Sequence, residues 1–173
     1  MGVTSTVSAD VLNAILGVDD ESPLATLRQQ KPSLVTELQD YYLALFEPTA
    51  SSVAALPVTD RYLVAVRVAS HTGSDAVASW YRNLAREAGV TESSLDRIAN
   101  TSVEVEDASA TGAALRHADL LTLRPADATP ADLQALKDAG LTPAGIVTLS
   151  QVIAFVSYQL RLAAGLRALG GLR

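Results

Sequence analysis

Cysteine is absent from this sequence. Thiolate nucleophiles, disulfides and cysteine-ligated zinc or iron–sulfur sites are therefore excluded. Only two histidines occur, His71 and His117, so a histidine-rich metal site is not expected either. The sequence predicts a protein with no bound metal and no cofactor.

Aromatic residues and basic charge are also scarce. Aromatic residues make up 5% of the chain, whereas apolar residues as a whole make up 49%. This composition, with plentiful alanine and leucine, favours packed helices over a β-sandwich. The net charge of −6 and the lack of a basic stripe argue against a nucleic-acid partner.

Long uninterrupted apolar runs are missing as well. A bilayer span needs about 20 nearly uninterrupted apolar residues. The most apolar stretch, residues 146–169, is broken by polar and charged side chains, namely Ser150, Gln151, Gln159, Arg161 and Arg167. We interpret it as a core helix. Residues 1–6 lack the features of a secretory signal, so we expect a cytoplasmic protein without a membrane partner.

Glycine, proline and capping residues predict where the N-terminal helices begin and end. Short helices are expected at 10–16 and 24–30, and a longer one runs from Pro32 until Pro48. Residues 49–58, rich in serine, alanine and proline, are predicted to form a loop.

The central part of the chain predicts a tight helical hairpin over residues 59–88. Thr59 is expected to cap the first, largely apolar helix, which Gly73 terminates. Ser74 then caps a second helix that continues to Gly89. The two helices therefore fold back on each other at Gly73 and Ser74.

Further helices are predicted in the C-terminal half. Thr91 starts a short helix, residues 101–112 are a connection, and residues 113–123 are helical. Threonine–proline pairs at 129–130 and 142–143 each predict an N-cap with proline at the first helical position. The last helix runs to about residue 169.

Two parts of the chain resemble a known family. Residues 60–91, which begin DRYLVAVRVA and end AGVT, resemble the core hairpin of the alkylhydroperoxidase D-like (AhpD-like), or carboxymuconolactone decarboxylase (CMD), superfamily. Residues 118–142 and the helix around 152–163 resemble the extension of longer, peroxidase-related members. The resemblance implies an all-α, AhpD-like helical bundle with a central antiparallel helical hairpin. It would form one domain over 1–173, with an N-terminal arm (1–58), the core hairpin and a short helix (59–99), and C-terminal helices (113–173).

The resemblance also shows which catalytic residues are replaced. In the peroxidase branch, a Cys-x-x-Cys pair begins the second hairpin helix, and a histidine and a glutamate relay the proton. The resemblance places the two cysteines on Ser74 and Val77, the histidine on Tyr81 and the glutamate on Tyr62. A serine hydroxyl is far less acidic than a thiol, so thiol peroxidase activity is not expected. In the decarboxylase branch, the histidine again falls on Tyr81 and Ala76 replaces a carboxylate, so that activity is not supported.

The hairpin also suggests a candidate site that uses other side chains. His71 precedes the turn and Tyr81 follows it, so a shared cavity would let them act as acid and base on a small polar ligand. Tyr62, Arg67 and Ser74 are the candidate ligand-binding residues. The structural alternative, which we favour, is that His71 hydrogen-bonds the hairpin end and Tyr81 packs in the core.

Arg67 leaves three interpretations open. Arg67 lies among apolar neighbours, where it would extend toward water, pair with Asp60 or Glu87, or bind an anionic ligand. We favour structural pairing, since buried charges are generally paired. Arg161 allows the same interpretations. His117 is expected to be solvated.

Three functional hypotheses follow. The first is a Cys-less binding or partner subunit that works alongside a Cys-containing paralogue. The second is a non-thiol enzyme, lyase or hydrolase-like, that acts on a small organic acid or lactone through His71 and Tyr81. The third is a structural oligomer without a ligand. The resemblance implies a homodimer, homotrimer or hexamer.

Overall fold

The computed structural model describes residues 10–48 and 55–170 of the chain. Within these ranges the chain is helical and contains no strand, which confirms the all-α prediction. Nine α-helices are present in this described part: α1 Val11–Leu16, α2 Pro23–Arg28, α3 Pro32–Phe46, α4 Val58–His71, α5 Asp75–Glu87, α6 Glu92–Ala99, α7 Ala110–Leu123, α8 Pro130–Asp138 and α9 Pro143–Gly170. The predicted loop at 49–58 lies largely outside the described residues.

Two helix starts differ from the sequence prediction by more than one residue. Helix α4 begins at Val58, so Thr59 is a helical residue and not the cap. The carbonyl oxygen of Pro57 accepts the first helical hydrogen bond, so the cap lies two residues closer to the N-terminus than predicted. Helix α7 begins at Ala110, three residues earlier than expected, because the Ser109 hydroxyl caps it by accepting from a first-turn N–H.

The predicted hairpin is formed by α4 and α5. Gly73 joins the two helices with a φ of 67°, a left-handed conformation that glycine adopts without a Cβ penalty. Helix α4 is the most buried helix of the hairpin, and α7 and α9 pack against it. Its central residues Val64, Ala65 and Val66 are completely shielded from solvent.

Helix α9 is a core helix. Among the described residues it alone is long and apolar enough to cross a membrane, judged by length and composition. It packs against α3, α4 and α7, and the side chains of Leu149, Val152 and Val156 have no exposed surface. This burial agrees with the interpretation of residues 146–169 as part of the protein interior.

Residues 100–109 connect α6 to α7 without regular structure, and we call this segment the strap. Two contacts hold the strap against α7. Arg116 Nη1 donates to the carbonyl oxygens of Val105 and Asp107, at 3.0 and 2.5 Å. Gly112 lets the backbone of Asp107 approach so closely that a Cβ atom at position 112 would collide with its carbonyl group.

Candidate functional site

The five residues singled out in the sequence fall into separate groups. Arg67 and His71 are four positions apart and therefore share one face of α4, which faces α7. Tyr62 lies on a different face of the same helix and packs toward α3. Tyr81 belongs to the core side of α5, and Ser74 stands at the start of that helix.

Asp119 on α7 brings Arg67 and His71 together. Arg67 donates two hydrogen bonds to this carboxylate, from Nε to Oδ1 at 2.7 Å and from Nη2 to Oδ2 at 2.8 Å. His71 Nε2 lies 2.6 Å from the same Oδ1. The Arg67 and His71 side chains are 2% and 7% exposed and that of Asp119 is 22% exposed, so the cluster is largely shielded from water.

Arg67 also holds the last turn of α6 and the strap. Its Nη1 donates to the carbonyl oxygens of Ile98 and Asn100, at 3.0 and 2.8 Å. Its Nη2 donates to the Val103 carbonyl oxygen at 3.3 Å. One buried guanidinium therefore ties together α4, α6, α7 and the strap.

The expectation that Arg67 is structurally paired agrees with this geometry, but the expected partners are wrong. Its acidic partner is Asp119, not Asp60 or Glu87. Asp60 instead accepts a hydrogen bond from the Thr111 hydroxyl at 3.0 Å. Burial raises the pKa of Asp60, and this hydrogen bond only partly offsets the effect.

Tyr62 and Tyr81 meet in an aromatic cluster around Phe46. The Phe46 ring stacks on Tyr62 with centroids 5.7 Å apart and lies tilted against Tyr81 at 4.9 Å. Burial raises the pKa of Tyr81, whose hydroxyl donates to Gln159 Oε1 at 2.6 Å. The Gln159 amide nitrogen has no partner among the described residues.

The predicted pair of catalytic residues is not brought into one site. His71 bonds to Asp119, whereas Tyr81 bonds to Gln159 on another helix. Tyr81 has no exposed surface, so its hydroxyl does not touch a solvent-borne substrate in this conformation. This geometry agrees with the favoured interpretation of Tyr81 as a core residue, while the partner of His71 is a carboxylate rather than the hairpin backbone.

A cavity lies under the strap. This strap cavity has a volume of about 610 Å³ and is bounded by α4, α6, α7 and the strap. Most of its wall is apolar, formed by Leu63, Val90, Ile98, Val103, Val105 and Leu115. Arg97 and the strap carboxylates Glu104, Glu106 and Asp107 are its charged residues. Neither His71 nor Tyr81 lines it.

A second cavity, which we call the hairpin cavity, lies at the turn between α4 and α5 and has a volume of about 440 Å³. Ser74 is part of its wall. The position of Ser74 at the N-cap is as predicted, but its side chain makes no capping hydrogen bond. The Ser74 hydroxyl therefore accepts no hydrogen bond from the first-turn N–H groups of α5.

His117 was expected to be solvated, and this expectation is wrong. It is only 6% exposed, because it occupies the same inward face of α7 as Ala113 and Ala114. Burial lowers its pKa, with Asp132 acting in the opposite direction. Within residues 10–48 and 55–170, no group of three or more potential ligand side chains is placed to hold a metal ion.

Two polar residues that matter here, Asp119 and Gln159, were not recognised as partners by sequence reasoning. Asp119 is an isolated acid among the apolar residues of α7, and Gln159 is the corresponding polar residue in α9. A lone polar residue inside an apolar helical stretch signals a buried partner. Its identity could not be read from the sequence, because both partners are more than 45 positions away.

Comparisons with known proteins bear on the fold alone. No protein-family model matches the chain, and no curated protein matches it. One similar solved structure is the crystal structure of an uncharacterized peroxidase-related protein from Silicibacter sp. TM1040, with a TM-score of 0.68 at 17% sequence identity. The match covers 76% of this chain and 66% of that chain. The helical fold is therefore similar to that of a peroxidase-related protein.

Proposed function

We propose that this protein is a ligand-binding protein without redox activity, built on a peroxidase-related, AhpD-like scaffold. The strap cavity is the observation that carries the proposal. Its volume of about 610 Å³ lies within the range of small-molecule sites, and its wall is mostly apolar. The ligand we propose is an uncharged small molecule with an apolar body.

The local structure around α5 supports the non-redox part of the proposal. The positions that the resemblance assigns to the cysteine pair carry Ser74 and Val77. The positions of the proton relay carry Tyr62 and Tyr81, which pack against Phe46 in the core. An aromatic cluster shielded from water offers no group that reduces a peroxide.

The strap cavity can be tested with a neutral, environment-sensitive fluorophore such as N-phenyl-1-naphthylamine. Saturable enhancement of its fluorescence by the purified protein is expected. An Ile98→Trp variant, which adds an indole ring at the wall, should weaken binding about tenfold or more by filling the space.

A matched variant controls for the added tryptophan. Leu123→Trp changes a residue that is 56% exposed and outside the cavity wall, so it should bind the fluorophore as the wild-type chain does. Equal affinity in the Ile98→Trp variant, with the helical circular dichroism intact, would rule out the strap cavity as the binding site.

A second candidate function is that of a non-thiol enzyme, lyase or hydrolase-like, acting on a small organic acid or lactone. The hydrogen bond between His71 and Asp119 favours it, because a carboxylate orients a histidine that exchanges protons. Tyr81 has no catalytic role in this proposed enzyme, because it is buried on another helix. Conversion of a lactone by the wild type but not by His71→Ala would support it, and equal turnover by both would dispose of it.

We also propose that the protein forms homo-oligomers, through a groove between α3 and α9. The groove has a volume of about 320 Å³, and its wall includes Leu34, Tyr41 and Tyr158, which are 58%, 40% and 47% exposed. Glu37 lies at this groove, and Arg161 follows Tyr158 on the same exposed stripe of α9. These opposite charges suit a self-complementary contact between two copies.

Light scattering coupled to size-exclusion chromatography distinguishes a monomer from a homo-oligomer. Tyr158→Glu should shift the protein toward monomer, whereas Leu123→Glu, on an exposed residue outside the groove, should not. A wild-type monomer that co-purifies with a Cys-containing paralogue would instead support the hetero-partner version of the proposal. We also propose a cytoplasmic location, which fractionation of the source cells would test.

A further inference from the structure

The strap differs from the other sides of the strap cavity in how its backbone is bonded. The other sides are formed mainly by α4, α6 and α7, whose backbone groups are hydrogen-bonded within each helix. Within the described ranges, no N–H group of residues 104–107 donates a hydrogen bond to a backbone carbonyl oxygen. Backbone of this kind opens locally more readily than a helix does.

Both ends of the strap are fixed by local hydrogen bonds. At the first end, Asn100 Oδ1 accepts from the Ser102 N–H at 3.2 Å. At the second end, the Asp107 carboxylate accepts from both the N–H and the hydroxyl of Ser109, each at 2.8 Å. These bonds lie on either side of residues 103–106, which we call the central strap.

Two hydrogen bonds from other described elements hold the central strap in place. Arg67 Nη2 donates to the Val103 carbonyl oxygen at 3.3 Å, and Arg116 Nη1 donates to that of Val105 at 3.0 Å. The first is the longest of the five hydrogen bonds that Arg67 makes, and the other four do not involve the central strap. Arg116 is exposed, so water competes for its donors. Lifting the central strap therefore breaks one long bond and one exposed bond.

The central strap covers the cavity with one partly buried side chain. Val105 packs against the hydrophobic core, whereas Val103, Glu104 and Glu106 are exposed. All four residues line the strap cavity. Because the apolar contact that opening would break is mainly that of Val105, opening exposes little apolar surface. It requires no helix to unfold.

We propose that the central strap is a lid that opens to admit a ligand to the strap cavity, and that Arg116 is the latch that holds the lid closed. The proposal rests on the ligand-binding function proposed above and adds the route of entry. Arg67 stays in place as the lid moves, because Asp119 and two carbonyl oxygens outside the lid hold its guanidinium. A ligand then enters and leaves at rates set by opening of the lid.

Single thiols test whether the lid opens, because the chain contains no cysteine of its own. Leu115→Cys places a thiol on the cavity wall, at a residue that is 4% exposed, where the neutral reagent 4,4′-dithiodipyridine should reach it only through an open lid. Leu149→Cys, in the core side of α9 with no exposed surface, is the matched variant that reports global unfolding. The Leu115→Cys thiol should react at least about tenfold faster. Equal rates would show that only global unfolding uncovers the cavity, and would overturn the proposal.

Removal of the latch gives the second test. Arg116→Gln should raise the reaction rate of the Leu115→Cys thiol about tenfold, with little change for Leu149→Cys. Arg124→Gln removes the same charge just beyond α7, from a side chain that is 71% exposed and outside the cavity wall, so neither rate should change. An unchanged rate of the Leu115→Cys thiol in Arg116→Gln, or an equal rise at both thiols, would refute the latch.

Stopped-flow mixing with N-phenyl-1-naphthylamine tests whether the lid controls the passage of ligand. Arg116→Gln should raise the association and dissociation rate constants by similar factors, so the dissociation constant should change by less than about threefold. Unchanged rate constants in a variant that still binds the fluorophore would show that the ligand enters by another route. Absence of binding to the wild type would contradict the proposed function instead, and the thiol rates would then decide whether the lid opens.

Discussion

Arg67 carries a full positive charge while exposing only 2% of its side chain. Its charge is balanced by Asp119, and its remaining donors are taken by three carbonyl oxygens of α6 and the strap. Removing one member of a buried pair leaves an uncompensated charge, which costs more than the pair itself contributes. Asp119 is therefore a position where a single change should be severe.

Asp119→Asn should lower the free energy of unfolding by about 3 kcal/mol, because Arg67 stays charged and buried. Urea unfolding monitored by circular dichroism gives this quantity. The control is Asp127→Asn, an exposed residue whose oxygen lies 3.9 Å from Arg124, where the change should be below about 0.5 kcal/mol. Similar losses at the two positions would contradict the buried-pair description.

The hydrogen bond between Tyr81 and Gln159 gives a second test at this scale. Tyr81→Phe should cost about 1–3 kcal/mol, because it leaves the buried Gln159 carbonyl oxygen without its partner. The double variant Tyr81→Phe with Gln159→Leu should recover part of that loss, since both polar groups are then gone. Losses that simply add in the double variant would show that the bond is energetically unimportant.

His117 should make stability depend on pH. Its pKa is lowered in the folded state by burial, whereas the unfolded chain has the ordinary value of 6.5. As the pH falls below that value, the unfolded state takes up the proton first, so the stability present above pH 6.5 is progressively lost. His117→Gln should show a smaller decrease in unfolding free energy than the wild type between about pH 7.5 and 5.5. Parallel curves for the two proteins would contradict this.

At the scale of elements, the strap is the segment on which the proposed ligand site depends. Arg67 holds it from the hairpin side and Arg116 from α7, while Gly112 allows its close approach to that helix. The strap is therefore positioned by polar contacts to two arginines and by one glycine.

Gly112→Ala should displace the strap, because the new methyl group would collide with the backbone of Asp107. We expect a loss of about 1–3 kcal/mol in unfolding free energy and weaker binding of the neutral fluorophore. Gly165→Ala is the matched control in α9, where a Cβ atom meets nothing within 4 Å. That change should stabilise the protein by up to about 1 kcal/mol. Stabilisation by both changes would show that the strap does not lie against α7.

The sequence predicted the positions of the helices well, but it did not predict which side chains His71 and Tyr81 contact. Periodicity and caps located the hairpin and the last helix, because these signals are local. Thr59 is not the cap, because the helix already begins at Val58, directly after Pro57. His71 and Tyr81 lie on opposite sides of a tight turn, yet the rotation of each helix directs them to different partners. Such rotation depends on packing against α7 and α9, which spacing along the chain does not reveal.

At the scale of the whole molecule, one hydrophobic core joins residues from α1 to α9. The hairpin lies at its centre, and the strap cavity and the hairpin cavity lie at different places around it. The fold is similar to that of a peroxidase-related protein, while the positions tied by resemblance to redox chemistry hold a serine, a valine and two core tyrosines. The scaffold is thus compatible with binding in the absence of thiol chemistry.

Amide hydrogen exchange of the full chain, with and without saturating N-phenyl-1-naphthylamine, tests the proposed ligand site most directly. Exchange reports local opening, and a ligand under the strap should slow it. We predict slower exchange in the strap and in α6, with little change in α3 and the exposed side of α9. Unchanged exchange in the strap at saturation, or protection confined to the groove between α3 and α9, would contradict the account.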